Sequence, residues 1–199
     1  MAIAFEHIDK AFGELEVLRD FSLELPERGV VVLSGPSGCG KTTLGRLLLG
    51  LDKPDRGSIS GLEGRRSVCV FQENRLLPWA SALENAALGG EEGSARLWLE
   101  RLGMQDFMQS YPAQLSGGMQ RRVAVARALA TPADVLVLDE PFTGLDDANQ
   151  RLILSAVRER MEDALFVMIT HDLSNLRELS GEIFYLEGPP LRIVEKKCI

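Results

Sequence analysis

The amino-acid sequence predicts an α/β fold built around a mostly parallel β-sheet. Three short apolar runs predict strands that are buried on both faces of a sheet, Val30–Leu33, Val135–Leu138 and Leu165–Ile169. Helical patterns stand between these runs, at Thr42–Leu51, where leucines recur on one face, and at Met119–Ala130. Strands that alternate with helices in this way are typical of a parallel sheet covered by helices.

The remaining predicted elements flank this pattern. Ile3–Phe5 and Val17–Leu25 alternate roughly between apolar and polar residues and are predicted to be strands. Ser67–Phe71 is a further short strand, and Ala148–Met161 has the spacing of a helix. We see no internal repeat, so the simplest prediction is one domain.

The stretch from residue 74 to residue 114 has a different character. It contains helix and turn signals and no convincing strand. Ser81–Glu84 has the form of a capping box, in which a serine and a glutamate three residues later cap a helix start. Ser94–Leu102 is a second predicted helix, ended by Gly103. We interpret this stretch as a helical insertion.

Composition excludes several classes of function. Of the 199 residues, 22 are Lys or Arg and 29 are Asp or Glu, so the net charge is -7. Sequence-independent nucleic-acid binding needs basic surface, and we therefore expect no nucleic-acid partner. The scattered Cys39, Cys69 and Cys198 form neither a metal-ligand pattern nor a disulfide framework, which favours a reducing, cytoplasmic compartment. The N-terminus lacks a signal-peptide pattern, and the apolar runs are too short to span a bilayer, so a membrane link requires a partner.

A phosphate-binding loop is the first functional motif. Residues Gly35–Thr42 match G-x-x-x-x-G-K-[ST] between a predicted strand and a predicted helix, and this setting argues against an accidental glycine-rich turn. Lys41 would neutralise phosphate charge, the Thr42 hydroxyl would ligate Mg²⁺, and Thr43 could reach the α-phosphate. The predicted nucleotide-binding residues of the loop are Gly35, Pro36, Ser37, Gly38, Cys39, Gly40, Lys41, Thr42 and Thr43.

The motif that narrows the class is Leu-Ser-Gly-Gly-Met, within Tyr111–Arg122. Ser116 and two glycines before a helix are also an ordinary helix N-cap. The stretch resembles the signature motif of ABC ATPases, which other classes with a phosphate loop lack. The resemblance implies that Ser116, Gly117 and Gly118 bind the γ-phosphate of ATP held by the other subunit of a homodimer.

Other residues follow in the order of that family. Val135–Glu140 resembles the Walker B strand, which implies that Asp139 holds Mg²⁺ through water and that Glu140 polarises the attacking water. Taken alone, two acids at a strand end are equally well a solvated strand terminus. Gln72 matches the Q-loop glutamine, which contacts Mg²⁺ in the family. His171 matches the switch histidine, a third candidate catalytic residue beside Glu140 and Gln72.

Two further positions complete the resemblance. Asp146 matches the D-loop, which implies a dimer contact, and Phe12 matches the aromatic residue that stacks on adenine, although an early Phe is equally compatible with the core. The family implies a P-loop NTPase, or RecA-like, core with antiparallel N-terminal strands and an ABC-type helical subdomain. We place one ABC ATPase domain at 1–199, with its core at about 1–72 and 117–199 and its helical subdomain at about 73–116.

The segment from Gln72 to Trp79 points to a branch of the family. It contains Leu-Leu-Pro-Trp, which resembles importers for nitrate, sulfonates and taurine. The resemblance implies that this segment docks integral-membrane permease subunits, although Leu76, Leu77 and Trp79 are also compatible with packing inside the insertion. It also implies ATP and Mg²⁺, a solute-binding protein in the same system, and a place on the inner face of the membrane. An exporter or a non-transport ABC system is the alternative.

Overall fold

The computed structural model describes residues 1–173, 176 and 179–199. The strands are β1 Ile3–Phe12, β2 Leu15–Leu25, β3 Gly29–Ser34, β4 Arg56–Ser60, β5 Ser67–Val70, β6 Val135–Asp139, β7 Leu165–Ile169, β8 Gly181–Glu187 and β9 Arg192–Cys198. The helices are α1 Lys41–Leu48, α2 Ala82–Ala87, α3 Glu92–Arg101, α4 Gly117–Ala130 and α5 Asp147–Arg160, with 3-10 turns at Gln105–Phe107 and Pro112–Gln114. No helix among the described residues is long and apolar enough to cross a membrane.

The central sheet has six strands in the order β5-β6-β7-β3-β8-β9. All neighbouring pairs are parallel except β8 with β9, which is antiparallel. Because β3, β6 and β7 are parallel neighbours, their carboxyl ends lie at one edge of the sheet. This topology brings the residues that follow Ser34, Leu138 and Ile169 together and places the candidate site there.

The predicted apolar strands are buried on both faces. Along β3, Val30 and Val32 pack in a core with α2, α3, α4 and α5, whereas Val31 and Leu33 pack in a second core with α1 and the N-terminal strands. Each fully buried aliphatic side chain contributes about 1.5–3 kcal/mol relative to exposure. Strands with two buried faces read as continuous apolar runs, which is why they were predictable.

The N-terminal strands form a separate antiparallel sheet in the order β2-β1-β4, which confirms the prediction of antiparallel N-terminal strands. Ile3, Phe5 and Ile8 of β1 are almost fully buried and pack in the second core. The strands β4, β8 and β9 were not predicted. β4 and β9 are short of buried apolar residues, because each lies at the edge of its sheet.

Residues 74–114 contain helices and turns and no strand, as predicted for this stretch. Its capping box is present: the Glu84 N–H donates to Ser81 Oγ at 3.2 Å, and the Ser81 N–H donates to Glu84 Oε2 at 2.7 Å. Asn85 is fully buried and bonds to the backbone of Leu77, Ala80 and Ser81, which fixes the chain before α2. The helix α4 packs against α2 and α3 as well as β5.

Candidate nucleotide site

The loop between β3 and α1 requires glycine at several positions. A Cβ on Gly35 would lie 2.3 Å from the carbonyl oxygen of Leu186 in β8, so the loop could not pack against that strand. Gly38 and Gly40 have φ angles of +79° and +118°, which side-chain-bearing residues rarely adopt. The sequence pattern therefore reflects close packing and backbone conformation together.

The start of α1 leaves donors available for an anion. Gly40 is the N-cap residue, and no side chain caps the helix. The first N–H groups of a helix have no intrahelical acceptor and carry the positive end of its dipole, which makes this terminus an anion site. Lys41 adds charge beside it. Its side chain is nearly buried, and its ammonium donates to the carbonyl oxygens of Gly35 and Pro36, at 2.8 Å each.

A cleft of about 380 Å³ opens beside this loop. It brings together the predicted catalytic residue Glu140 and most of the predicted nucleotide and metal residues, namely Phe12, Ser37, Gly38, Gly40, Lys41, Thr42, Thr43, Gln72 and Asp139. Gly35, Pro36 and Cys39 belong to the same loop but do not line the cleft. Cys39 has a fully buried side chain, and its N–H donates to the Pro36 carbonyl oxygen at 3.3 Å.

The apolar wall of the cleft contains residues that the sequence analysis missed. Leu15, Val17 and Ile169 line it together with Phe12, which is half exposed and has the Lys10 ammonium 5.4 Å from its ring centroid. Leu15 pairs with Phe12 across the turn between β1 and β2. The alternation of apolar residues along β2 was the available signal, and the position of that strand beside the phosphate loop was not visible in the sequence.

Two adjacent carboxylates stand at the end of β6. Burial raises the pKa of Asp139 above its ordinary value, and the neighbouring Glu140 charge raises it further. Glu140 has a φ of +47°, a left-handed conformation that is rare for a residue with a side chain and costs about 1–3 kcal/mol. Its N–H donates to the carbonyl oxygen of Ile169 at 2.8 Å. This strained backbone turns the residue out of the strand direction at the mouth of the cleft.

The Glu140 carboxylate contacts His171, which follows β7. Nδ1 of His171 lies 2.9 Å from Oε1 of Glu140, and the Thr170 hydroxyl donates to Oε2 at 3.4 Å. His171 is largely exposed and does not line the cleft itself. The hydrogen bond to Glu140, followed by the Glu140 charge, raises the pKa of His171. The structure therefore joins two of the three predicted catalytic residues.

A second cleft, of about 510 Å³, holds the signature residues. It is lined by Ser116, Gly117 and Gly118 and by Asp146, and it shares Gln72 with the first cleft. Ser116 caps α4, since its Oγ accepts from the Met119 N–H at 3.2 Å. Because Oγ acts there as an acceptor, its own proton remains available for an anion.

Asp146 and the two glycines shape this second cleft. Asp146 caps α5, accepting from the Asn149 N–H at 2.9 Å. A Cβ on Gly117 would meet open space, whereas one on Gly118 would lie 3.0 Å from Leu145. The start of α4, with its Ser116 cap, therefore lines a cleft that shares only Gln72 with the cleft containing Lys41.

Comparison with known proteins decides the family. The family model described as ABC transporter matches residues 18–143, which is more than half of the chain. The chain belongs to the ABC transporter family. Proteins of this kind bind and hydrolyse ATP, and the chain is an ATP-binding, ATP-hydrolysing subunit of an ABC transporter. This confirms the predicted family and enzyme class.

Curated relatives of this ABC ATPase are import proteins. The taurine import ATP-binding protein TauB of Pseudomonas aeruginosa PAO1 is 39% identical over 199 residues, covering 90% of this chain and 75% of that protein. The aliphatic sulfonates import ATP-binding protein SsuB 1 of Pseudomonas savastanoi is 38% identical, covering 94% and 81%. A probable sulfate/thiosulfate import ATP-binding protein CysA of Chlorella vulgaris is 40% identical, covering 94% and 88%.

Two solved structures that share this fold are described as dimeric. A dimeric post-hydrolysis state of the ATP-binding cassette MJ0796, bound to ADP and Pi, has a TM-score of 0.87 and 26% identity, covering 98% of each chain. A dimeric structure of MJ0796, a bacterial ABC transporter cassette, has a TM-score of 0.86 and 27% identity over the same shares. They confirm the predicted fold class of this ABC ATPase.

The donor set of the first cleft suits Mg²⁺. Thr42, Gln72 and Asp139 place a hydroxyl, an amide and a carboxylate in one cleft, all through hard oxygen atoms. No group of three or more His, Cys, Asp or Glu that could hold a metal exists within the described part of the chain. Mg²⁺ is commonly bound through one or two carboxylates, with water and substrate phosphates completing its shell, so a set with one carboxylate fits this ion.

The predicted docking segment of the ABC ATPase is partly packed and partly exposed. Leu76 packs against the helical core, as the alternative interpretation held, and Leu77 is half buried. Trp79 is 73% exposed, the largest apolar side chain in the segment. An exposed tryptophan next to a rigidly held turn is a feature of protein–protein contact surfaces.

The pair Glu140–His171 gives a prediction on pH. We expect the pKa of His171 to lie above the ordinary value and to fall in Glu140→Gln, because the raised pKa depends on the Glu140 carboxylate. The pair therefore stabilises the fold below the ordinary histidine pKa of about 6.5 and ceases to do so as pH rises through the folded-state pKa.

NMR titration measures this prediction directly, because the chain contains 2 histidines. His7, whose pKa is raised mainly by its hydrogen bond to Asp20, is the internal control. The pKa of His7 should change in Asp20→Asn and stay the same in Glu140→Gln. A His171 pKa that is the same in wild type and Glu140→Gln would contradict the contact.

Proposed function

We propose that this ABC ATPase hydrolyses Mg-ATP as one half of a homodimer and thereby drives the import of a small sulfonate or related anion through a membrane permease. The observation that carries the dimeric site is the separation of two clefts. Lys41, Asp139 and Glu140 line one of them, and Ser116–Gly118 line the other. This separation supports a site in which the signature residues of one chain serve the phosphate loop of another.

Binding follows from the chemistry of the first cleft. The phosphates lie against the bare N–H groups at the start of α1, and Lys41 exchanges its carbonyl partners for phosphate oxygens. The adenine packs on the exposed ring of Phe12, with Leu15 and Val17 extending the apolar wall. The phosphates of ATP thus contact hydrogen-bond donors, and the adenine contacts apolar side chains.

Hydrolysis depends on Glu140, which follows β6, and on His171, which follows β7. Glu140 accepts a proton from water as the water oxygen bonds to the γ-phosphorus, the bond from that phosphorus to the β,γ-bridging oxygen breaks, and ADP leaves. His171 holds one of the Glu140 carboxylate oxygens. Bound Mg²⁺, held by Thr42, Gln72 and Asp139, would neutralise charge on the phosphates. Ser116 of the second subunit donates to the γ-phosphate, and the backbone N–H groups of its helix start lie beside that donor.

Replacing Lys41 tests the nucleotide site. We expect Lys41→Ala to weaken ATP binding by about tenfold to a hundredfold, because a charge-assisted hydrogen bond contributes about 1.5–3 kcal/mol. Isothermal titration calorimetry measures this, with Lys53→Ala as a control because Lys53 is exposed and lies away from the cleft. Equal affinities for the two variants would contradict the assignment.

Import of a sulfur oxyanion is supported by the relatives, and docking to a permease is supported by the exposed Trp79. All three relatives reported above are named as importers, of taurine, aliphatic sulfonates or sulfate and thiosulfate. We propose that the segment from Gln72 to Trp79 docks the permease, that the subunit lies on the inner face of the membrane through this contact, and that a solute-binding protein supplies the solute.

Uptake in a strain lacking the gene for this chain tests the proposal. Radiolabelled taurine, an alkanesulfonate and sulfate are supplied in parallel, so that the arms distinguish the anion class. We expect uptake of one of the three to be lost, to return with the wild-type gene, and to stay absent with Glu140→Gln. Wild-type uptake of all three in the deletion strain would contradict the proposed solute class.

A further inference from the structure

Arg121 is almost fully buried beside the second cleft, which shares Gln72 with the first cleft. It stands in the first half of α4, a few residues after Ser116, and only 2% of its surface is exposed. Burial is the main effect on its guanidinium and lowers the pKa of Arg121. Within the described ranges it has no carboxylate partner at salt-bridge distance. A buried arginine without such a partner has to be satisfied by hydrogen bonds.

Its partners are backbone and amide oxygens from two separate segments. Nη2 donates to the carbonyl oxygens at the end of β6, and Nη1 donates to oxygens of the loop that follows β5. These acceptors are the carbonyl oxygens of Asp139 (2.7 Å) and Glu140, and those of Phe71 and Gln72 (3.3 Å), with Asn74 Oδ1 at 3.3 Å. One planar side chain thus joins the segment carrying Gln72 to the segment carrying the two acids.

Two of these contacts hold the backbone at Glu140. Arg121 binds the carbonyl oxygens of Asp139 and Glu140, which lie on both sides of the left-handed turn at Glu140. A strained backbone conformation persists only where the surroundings determine it strongly. Two backbone bonds also hold this turn: the Glu140 N–H donates to the Ile169 carbonyl oxygen at 2.8 Å, and the Thr143 N–H donates to the Glu140 carbonyl oxygen at 3.3 Å.

We infer that Arg121 is a positioning residue for hydrolysis: its guanidinium fixes the Glu140 backbone against the Gln72 loop and ties both to the start of the helix that carries Ser116. The inference rests on the proposed role of Glu140. Loss of Arg121 releases the Glu140 turn, so the carboxylate no longer holds its place beside His171. Lysine would keep the positive charge, but it lacks the planar guanidinium whose two nitrogens donate to the end of β6 and to the Gln72 loop.

The test compares Arg121→Met and Arg121→Lys with Arg160→Met. Arg160 is a matched control, because its guanidinium also donates to three carbonyl oxygens, those of Leu129, Thr131 and Ala133, and it lines neither cleft. Thermal midpoint, ATP affinity, kcat and the His171 pKa are measured for each variant. Both methionine variants should lose stability.

Of the two methionine variants, we expect only Arg121→Met to have a lower kcat. The expected reduction is about a hundredfold, the effect of a catalytic group displaced by about 1 Å. ATP affinity should stay close to wild type, Arg121→Lys should be intermediate, and the His171 pKa should fall in Arg121→Met but not in Arg160→Met. If Arg121→Met does not fold, Arg121→Lys is judged by the same criteria.

Two outcomes would overturn the inference. One is a loss of kcat in the Arg121 variants no larger than in Arg160→Met at equal folded fraction. The other is a lower kcat with an unchanged His171 pKa, since the effect would not pass through Glu140. Glu140→Gln measured in parallel separates the claims: wild-type turnover there removes the role of Glu140, whereas an inactive Glu140→Gln beside a fully active Arg121→Met removes only the role of Arg121.

Discussion

Glu140→Gln is expected to lower kcat by about 10²–10⁴-fold, the usual contribution of a general base, while ATP affinity stays close to that of the wild type. The substitution keeps the shape of the side chain and removes the charge that accepts the proton from water. Because the variant still binds ATP but hydrolyses it slowly, an ATP-bound dimer should accumulate. Single-turnover hydrolysis and gel filtration with Mg-ATP measure the two effects.

A matched control for this substitution is Glu159→Gln. Glu159 is a half-exposed carboxylate of α5 that pairs with Arg101 and lines neither cleft. It should keep wild-type turnover. Turnover in Glu140→Gln equal to that in Glu159→Gln would contradict the assignment of Glu140, and unchanged elution of Glu140→Gln with Mg-ATP would contradict accumulation of the dimer.

Much of the first cleft was predictable because its residues belong to short motifs. The phosphate loop, from Gly35 to Thr42, is a local pattern in which spacing and backbone conformation determine the residues. Asp139 and Glu140 follow a recognisable buried strand. Parallel neighbouring strands then bring both motifs to one sheet edge without further information. The carboxylate pair and the lysine therefore lie in one cleft, as the sequence analysis implied.

The parts that were not predictable depend on contacts between distant segments. The left-handed turn at Glu140 has no local sequence signal, because glutamate rarely adopts that conformation. Leu15 and Val17 line the cleft only because the N-terminal sheet packs beside the phosphate loop. Arg121 was not singled out in the sequence, because the acceptors that allow it to be buried come from segments far away in the chain.

The unpredicted strands have a related cause. β9 is mostly polar and exposed, and it is a strand because it pairs antiparallel with β8 at the edge of the sheet. β4 likewise is defined by its pairing with β1. Edge strands with little buried apolar surface lack the periodicity on which sequence reasoning depends.

Ser116 gives the second large expected effect, on the composite dimer site. We expect Ser116→Asp to reduce hydrolysis by roughly a thousandfold. Two like charges about 4 Å apart repel by about 4 kcal/mol at an effective dielectric constant of about 20, and the new carboxylate would face the γ-phosphate of the other subunit. Aspartate and asparagine cap a helix about as well as serine, so the α4 start seen in the structure is preserved in both variants.

Ser116→Asn is therefore the matched control, since it has the same shape and capping ability as Ser116→Asp without the charge. Both should melt near the wild type, and Ser116→Asn should keep far more activity.

If the site is composite, the specific activity of the wild type should also rise with protein concentration when the subunit is dilute, because only dimers place Ser116 near the phosphate loop of a second chain. The two clefts of one chain have different linings that share only Gln72. A specific activity that stays constant on dilution, together with equal activity of the Asp and Asn variants, would mean that each chain is complete alone, and the second cleft would then have no part in hydrolysis.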